Sequence, residues 1–421
     1  MKALRALPLT CVVLLVGLGM VSAQTSTRPT NQSTMTASIA GPHQPKGITI
    51  SIPVHNLAVT GDARKTEKMF PGLVSSTPIP LWTYNVTAYD GNPYTGQIVG
   101  LSPYNHGKTT TTVPLQLVPL VITITDSHGT VTYDPTAADA CVPGHTAMDI
   151  LIGSPVFTNN SYTMNGVNMG SVQYQDANTR AEFWAVEGAT PYHLTFQEQT
   201  LAGQALSFGT GGTSGPGNNF IPGQTGACED IGVVDINDMS NAIEALITGP
   251  LAGQINVGTF PEFITKNVVM ADPGTNLFAN CCVLGFHSSF NVGPNLQIWG
   301  PTSVDTAGLF GAGYTSTMAH EVGEAVDDPT GTNPTPAWGH QGQQSGCQTN
   351  YEVGDPLSPG GIPPTSNEWV STGSNGITYN MQELAFFSWF YGGASLGSGG
   401  LYSNNSTFKG YAKACPPGGT N

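Results

Sequence analysis

The chain has 421 residues, of which 39% are hydrophobic and only 9% are charged, and its formal net charge is −15. This apolar share can build a packed core, so the composition excludes an intrinsically disordered chain, and the length would accommodate two or three domains. The excess of acidic residues argues against nucleic acid and anionic membranes as partners.

The N-terminus has the pattern of an export signal. Lys2 and Arg5 precede an apolar run over residues 9–21, and small residues up to Ala23 fit a cleavage site. We predict a signal peptide over residues 1–23, a secreted protein, and no membrane association after cleavage; an uncleaved anchor is the alternative. Removal of the two basic residues leaves 10 Lys and Arg against 27 Asp and Glu, a formal charge of about −17.

The cysteine count agrees with an oxidising compartment. Six cysteines remain after removal of the signal peptide, and an even number in an exported chain predicts up to three disulfides. No two of them have CxxC spacing, so a cysteine metal site is not expected. The six are Cys141, Cys228, Cys281, Cys282, Cys347 and Cys415.

Composition divides the rest of the chain into four segments. Residues 24–45 are rich in Thr, Ser and Pro and predict a flexible lead-in, whereas residues 46–202 contain short alternating apolar runs that predict a β-rich N-terminal domain. Residues 203–226 form a Gly-rich linker, and residues 227–421 form a second domain that mixes strands and helices. The expected fold class is therefore α+β.

Two helices are predicted in the second domain. Apolar residues at helical spacing follow Asp235 and Asp238, either of which can cap the first helix. The second helix is predicted over residues 316–327, because hydroxyl side chains precede it and Pro329 prevents its continuation.

The second helix carries the sequence His320-Glu321-x-x-Glu324, which differs at one position from the HExxH metal motif. Helical spacing places His320, Glu324 and Asp328 on one face, where they can share a metal ion. Glu321 lies beside them and can act as the general base that deprotonates a water. A solvated polar face is the simpler interpretation, but so many acidic groups around one His would repel each other without a cation or proton.

A further metal ligand is expected downstream of the helix. Glu352 or Asp355 can complete the shell, and Asp328 is the nearer alternative. Zinc is the first expectation for the metal, with calcium or manganese as alternatives because oxygen ligands dominate.

Two other side chains are weaker candidates. His287 lies in a predicted strand and can contact substrate or support the ligands, although a buried His in the core is the simpler interpretation. Tyr379 can donate a hydrogen bond to an oxyanion, with aromatic packing as its alternative.

Together these residues resemble a known pattern. His320-Glu321-x-x-Glu324, Asp328-Pro329, Trp338 and then Glu352-x-Gly354-Asp355 are similar to the HExxE…DP…W…E-x-G-D pattern of a group of secreted bacterial proteins. The motif is also similar to the HELAE segment of the exordium-like, phosphate-induced proteins of plants, and both groups resemble zincin metallopeptidases. The resemblance covers residues 304–391 and implies a zincin-like C-terminal region that acts on a protein or peptide substrate.

The expected function is therefore metal-dependent hydrolysis of peptide bonds, with Glu321 as the general base. The alternative is a non-catalytic extracellular or cell-surface binding protein in which the same residues hold a structural metal ion.

Overall fold

The computed structural model describes residues 33–37, 50–54, 77–106, 109–187, 191–212, 215–216, 219, 228–271, 281–310, 313–338, 348–357, 368–396 and 400–408. The predicted signal peptide lies outside these residues. Strands outnumber helices in the described part, which confirms a β-rich α+β fold class. None of the described helices is both long and apolar enough to cross a membrane.

The strands, in chain order, are β1 (Ser33–Ala37), β2 (Ile50–Val54), β3 (Leu81–Thr87), β4 (Pro93–Val99), β5 (Thr110–Asp126), β6 (Gly129–Tyr133), β7 (Asn160–Met164), β8 (Val167–Val172), β9 (His193–Thr200), β10 (Gln204–Gly209), β11 (Gly211–Gly212), β12 (Gly215–Pro216), β13 (Gly232–Asp235), β14 (Phe260–Lys266), β15 (Val268–Ala271), β16 (Cys281–Val283), β17 (Ser288–Val292), β18 (Asn295–Val304), β19 (Pro334–Trp338), β20 (Gln348–Asn350), β21 (Glu368–Thr372) and β22 (Thr378–Gln382). The helices are α1 (Pro103–His106), α2 (Ala147–Ile152), α3 (Tyr174–Glu182), α4 (Trp184–Glu187), α5 (Ile236–Thr248) and α6 (Ser316–Asp327), with short 3₁₀ turns at Asp355–Leu357 and Phe387–Trp389.

The largest sheet has seven strands and is built around β5. This strand pairs in parallel with β9, β10 and β14 and antiparallel with β6. Beyond β14 the sheet continues through the parallel strand β18 to β17, which is antiparallel to β18. Strands from both predicted domains thus share this sheet, so the division at residues 203–226 does not separate two sheets.

Two predicted irregular segments contain strands. β10 begins inside the predicted Gly-rich linker and lies in register with residues 120–125 of β5. Within the predicted lead-in, β1 pairs antiparallel with β2. In both segments, backbone hydrogen bonds to another strand outweigh a composition that predicts irregular structure.

Both faces of β5 are covered, because its side chains alternate between two cores. Val113, Leu115 and Leu117 belong to one core, which also contains the apolar stripe of α6. Val118, Leu120 and the following even-numbered residues belong to the other core, which α5 covers. Burial of both faces explains why the middle of β5 is an almost continuous apolar run rather than an alternating one.

Helix α6 has the bounds that the sequence predicts, Ser316–Asp327. Its buried Met318, Val322 and Val326 pack in the first core, and each contributes about 1.5–3 kcal/mol by burial. Thr315 occupies the N-cap position, but its hydroxyl donates to the carbonyl of Asn380 instead of capping the helix. Packing rather than capping therefore fixes the position of α6.

Other sequence predictions concern α5 and the cysteines. Asp235, one of the two predicted cap residues, is the N-cap of α5. Its carboxylate accepts the Asn237 N–H. Cys141 and Cys228 form a disulfide, and Cys282 is also disulfide-bonded. Cys347 and Cys415 lie outside the described residues.

Candidate metal centre

Helix α6 brings the predicted motif residues to one buried place. His320 Nε2 lies 3.1 Å from Glu324 Oε2, as the i, i+4 spacing predicts. Their side chains are almost fully buried, with exposed fractions of 8% for His320 and 1% for Glu324. The interpretation of this motif as a solvated polar face is therefore wrong for the folded chain.

The downstream segment Glu352-x-Gly354-Asp355 packs directly on this helix. The backbone N–H groups of Gly354 and Asp355 donate to Glu324 Oε1 at 3.1 and 3.0 Å. Asp355 Oδ1 lies 3.4 Å from His320 Nε2. The two backbone donors orient the Glu324 carboxylate so that its other oxygen, Oε2, faces the imidazole.

His287 supplies a second imidazole from outside the helix. It directly precedes β17, and its Nδ1 lies 3.7 Å from Glu321 Oε2 and 3.9 Å from both Glu324 Oε2 and Glu352 Oε2. Its Nε2 lies 2.9 Å from the backbone carbonyl of Asp328. Because a carbonyl only accepts, Nε2 carries the proton, and the neutral ring then offers the Nδ1 lone pair to the cluster.

Asp328 has a different role from the one predicted. Its carboxylate accepts the backbone N–H groups of Thr332 and Asn333 at 2.9 Å, so it shapes the turn after the helix. The prediction that Asp328 shares one helix face with His320 and Glu324 is wrong. Helix α6 ends at Asp327, and Asp328 has non-helical angles of φ −139° and ψ 67°. Its carbonyl, rather than its carboxylate, supports the site through His287.

Trp338 and Tyr379 have packing roles. The Trp338 indole N–H donates to the Asn350 carbonyl, and the ring contacts that of Trp389 at a centroid distance of 4.6 Å. The Tyr379 hydroxyl donates to the Ile150 carbonyl at 2.8 Å. With its hydroxyl engaged there, Tyr379 is not an oxyanion donor in this arrangement.

The residues present fit a divalent metal ion. Each of two overlapping groups, His287 with Glu324 and Glu352, and His320 with Glu321 and Glu324, has candidate ligand atoms within 4.8 Å of one another. Two ligands on one ion, with bonds of about 2.0–2.2 Å, lie roughly 3.0–3.5 Å apart. The 3.1 and 3.4 Å separations around His320 fall in this range, and those around His287 are a few tenths of an ångström longer.

Unsatisfied polar atoms support this fit. Within the described part of the chain, five buried atoms of the cluster complete no hydrogen bond: His287 Nδ1, His320 Nε2, Glu321 Oε2, Glu324 Oε2 and Asp355 Oδ1. Each such atom costs about 1–3 kcal/mol when it is left without a partner. A cation that ligates several of them would remove much of that cost. The group can therefore hold a metal ion, and its mixed nitrogen and oxygen set suits zinc or manganese better than calcium, which prefers oxygen ligands alone.

The electrostatics of the cluster favour cations and protons. Burial opposes the charged imidazole of His287, but Glu321 and Glu324 outweigh it and raise the His287 pKa to about 9. Glu324 and Asp355 likewise raise the pKa of His320 well above its usual value despite burial. Burial and the Glu324 charge raise the pKa of Asp355 to about 8. Without a metal, the cluster therefore retains protons at neutral pH.

These shifts predict that metal binding becomes tighter as pH rises. The metal-bound cluster needs neutral imidazoles and ionised carboxylates, so bound protons compete with the metal until pH exceeds the raised pKa values of about 8 and 9. We expect the dissociation constant, measured by competition with a chelator of known affinity, to fall at each step from pH 6 to pH 9. A constant value over that range would contradict protonation of the cluster.

Gly354 is predicted to be essential for the position of His320. A Cβ at residue 354 would lie 2.6 Å from His320 Nδ1, much closer than atoms tolerate, so Gly354→Ala must displace the imidazole. We expect metal affinity to fall about 10- to 100-fold, the usual effect of disturbing the support of a ligand. The measurement is metal titration followed by fluorescence or calorimetry.

Gly253→Ala is the matched control for this substitution, because a Cβ at residue 253 meets nothing within 4 Å. It should leave metal affinity unchanged. Equal affinity of both variants and the native protein would show that His320 is not a ligand.

Glu262 is a neighbour of the site that the sequence reasoning missed. It lies on β14 with no exposed surface, and its Oε2 accepts the Thr302 hydroxyl at 2.8 Å. Burial, with the nearby Glu321 charge, raises its pKa to about 8. A Glu flanked on both sides by apolar residues of the strand, Phe260-Pro261 and Phe263-Ile264, was the available signal.

A third group of possible metal ligands already has a positively charged side chain beside it. Asp139, Cys141 and Glu229 are close together, but the Cys141 sulfur is in a disulfide and offers no thiolate. Lys266 Nζ lies 3.0 Å from Glu229 Oε1 and 3.9 Å from Asp139 Oδ2. The lysine thus supplies the positive charge that a metal would supply elsewhere.

Comparisons with known proteins identify no relative. No family model, no curated protein and no solved structure matches this chain. The function is therefore inferred from the residues and geometry of the site.

Proposed function

We propose that this protein is a secreted, zincin-like metallopeptidase that hydrolyses peptide bonds in protein or peptide substrates. The observation that carries the proposal is the convergence of five buried, unsatisfied ligand atoms around helix α6. In this proposal His320, Glu324 and His287 hold the metal, and Asp355 or Glu352 completes the shell. Zinc is the preferred metal, with manganese or calcium as alternatives.

Glu321 is proposed as the general base. When bound, the metal would acidify a water molecule and polarise the substrate carbonyl. Glu321 Oε2 is buried, completes no hydrogen bond among the described residues, and lies 3.7 Å from His287 Nδ1. Burial raises the pKa of Glu321, which brings its basicity closer to neutral pH and favours transfer of a proton from water.

Export is proposed from the N-terminal sequence and is compatible with the disulfide between Cys141 and Cys228, because disulfides persist in oxidising compartments. The predicted cleavage after Ala23 would release a soluble enzyme.

A structural metal site in a non-catalytic extracellular binding protein is the second candidate. The observation that favours it is burial, because none of the six residues around the centre is more than 6% exposed. These residues are His287, His320, Glu321, Glu324, Glu352 and Asp355. Structural metal sites are closed, whereas catalytic sites keep one position open for water and substrate.

Removal and restoration of the metal test the proposal. The purified protein is incubated with a diverse peptide mixture before chelation, after chelation, and after return of zinc, manganese or calcium, with new termini identified by mass spectrometry. The proposal expects cleavage that disappears with the metal and returns with one of the ions. Metal-dependent thermal stability without any cleavage would instead support the structural site.

A further inference from the structure

The two imidazoles of the metal centre belong to different groups of candidate ligands. His287 is grouped with Glu324 and Glu352, whereas His320 is grouped with Glu321 and Glu324. Within the described part of the chain, no group of ligand atoms that all lie within 4.8 Å of one another contains both imidazoles. Two ligands of one ion, with bonds of about 2.0–2.2 Å, are at most about 4.4 Å apart. The two imidazoles are therefore placed to bind different ions.

Glu324 connects the two groups, because it is the one member that they share. Its Oε1 accepts the backbone N–H groups of Gly354 and Asp355, which leaves Oε2 for a metal. Oε2 is buried, completes no hydrogen bond among the described residues, and lies 3.1 Å from His320 Nε2 and 3.9 Å from His287 Nδ1. A carboxylate oxygen near both nitrogens can bridge two ions, which in two-metal sites are about 3.5–4 Å apart.

The side chains around the centre exceed the needs of one tetrahedral ion. Such an ion binds four ligands, so two of the six side chains would lie outside its shell. Division at Glu324 gives each ion one imidazole and two carboxylates, with a fourth position for water. His287, Glu324 and Glu352 form one set, and His320, Glu324 and Asp355 form the other. Glu321 then remains beside the ligands as the proposed base.

The charge of the metal-bound centre also favours two ions. Its four carboxyl groups, those of Glu321, Glu324, Glu352 and Asp355, carry a formal charge of −4 when ionised, and neutral imidazoles add none. Among the described residues, no Lys or Arg forms an ion pair with Glu321, Glu324 or Asp355. One divalent ion would leave half of this charge without a counter-charge, whereas two divalent ions balance all four carboxylates.

We propose that the metal centre binds two divalent ions bridged by Glu324 Oε2. One ion is held by His287 and Glu352, and the other by His320 and Asp355. Zinc and manganese suit these mixed nitrogen and oxygen sets. The inference rests on the metal centre of the proposed function, but it does not depend on hydrolysis of peptides.

Metal stoichiometry and magnetic coupling test the proposal. The metal-depleted protein is loaded with zinc or with manganese under anaerobic, slightly alkaline conditions, where protons compete least, and bound metal is counted by elemental mass spectrometry. We expect two ions per chain, and we expect the two manganese ions to show a coupled electron paramagnetic resonance spectrum. One ion per chain would overturn the proposal and leave protons to balance the remaining carboxylates. Two uncoupled ions would also overturn it, because the second would lie elsewhere. No bound metal would contradict the proposed function as well.

Single substitutions assign the ligands to the two ions. Glu352→Gln should lose the ion at His287, and Asp355→Asn the ion at His320, so that each variant retains one ion per chain. Glu383→Gln is the control and should retain two, because Ser403 and Thr407 satisfy that carboxylate. Circular dichroism on the same preparations identifies any variant that does not fold. Two ions in both folded ligand variants would reject this division of the ligands.

Discussion

Replacement of Glu324 by Gln should abolish divalent-metal binding and leave helix α6 in place. Glu324 is the one residue common to both groups of candidate ligands. Its two oxygens have separate tasks, because Oε1 accepts the backbone N–H groups of Gly354 and Asp355 while Oε2 faces His320. Gln keeps an oxygen for the backbone donors and loses only the charged ligand.

The measurement for Glu324→Gln is metal content together with thermal unfolding. The native protein should retain metal through gel filtration, whereas the variant should retain less than about a tenth as much. Excess metal at about 1,000 times the dissociation constant should stabilise the native protein by about 4 kcal/mol, and this gain should vanish in the variant.

Glu383→Gln is the matched control for Glu324→Gln. Glu383 is equally buried, but Ser403 and Thr407 satisfy its carboxylate. This variant is expected to lose some stability and keep its metal. Full metal occupancy in Glu324→Gln, or equal loss of metal in both variants, would contradict the assignment of Glu324 as the central ligand.

The parts of the site that the sequence predicts are those set by local geometry. The i, i+4 spacing of His320 and Glu324 fixes their separation as soon as α6 forms. The downstream segment was predicted from its residue types and from the resemblance, and its backbone donors to Glu324 add a contact that no side-chain pattern could indicate. The prediction for Asp328 failed for a local reason. Pro329 prevents continuation of the helix, which ends at Asp327, so Asp328 does not share the helix face of His320 and Glu324.

The contribution of His287 could not be predicted in the same way. It is 33 positions before His320 and reaches the cluster only because β17 and β18 form a hairpin beside α6. The sequence indicates the strand but not which helix packs against it. The tautomer of His287 depends on the Asp328 carbonyl, which exists in that position only after the turn has folded.

The strand pairing of the central sheet also could not be predicted from local sequence patterns. The apolar run of β5 predicts a strand, and its continuous middle indicates burial on both faces. Its partners β9, β10 and β14 are far along the chain and all parallel, a pairing that local patterns do not specify. The Gly-rich composition around β10 therefore suggested a linker where the folded chain has a sheet strand.

Replacement of Glu321 by Gln should remove peptidase activity while metal binding persists. Gln has nearly the same shape, so the side chain can keep its place beside Gly285, where space is limited. It cannot accept a proton from water, and loss of a general base typically lowers the rate about 10²- to 10⁴-fold. The measurement is the kcat of peptide cleavage, with metal content determined on the same preparations.

Three outcomes for Glu321→Gln distinguish the possible roles of this side chain. Glu321 is also a member of one group of candidate ligands, so a parallel loss of metal and activity would make it a ligand rather than the base. Retained metal with lost cleavage would support the proposed base, because Gln keeps the shape of Glu but cannot take up a proton from water. Retained metal with full cleavage would exclude Glu321 from the chemistry and leave Glu262, a buried carboxyl group that is in neither group of candidate ligands, as the next candidate to replace.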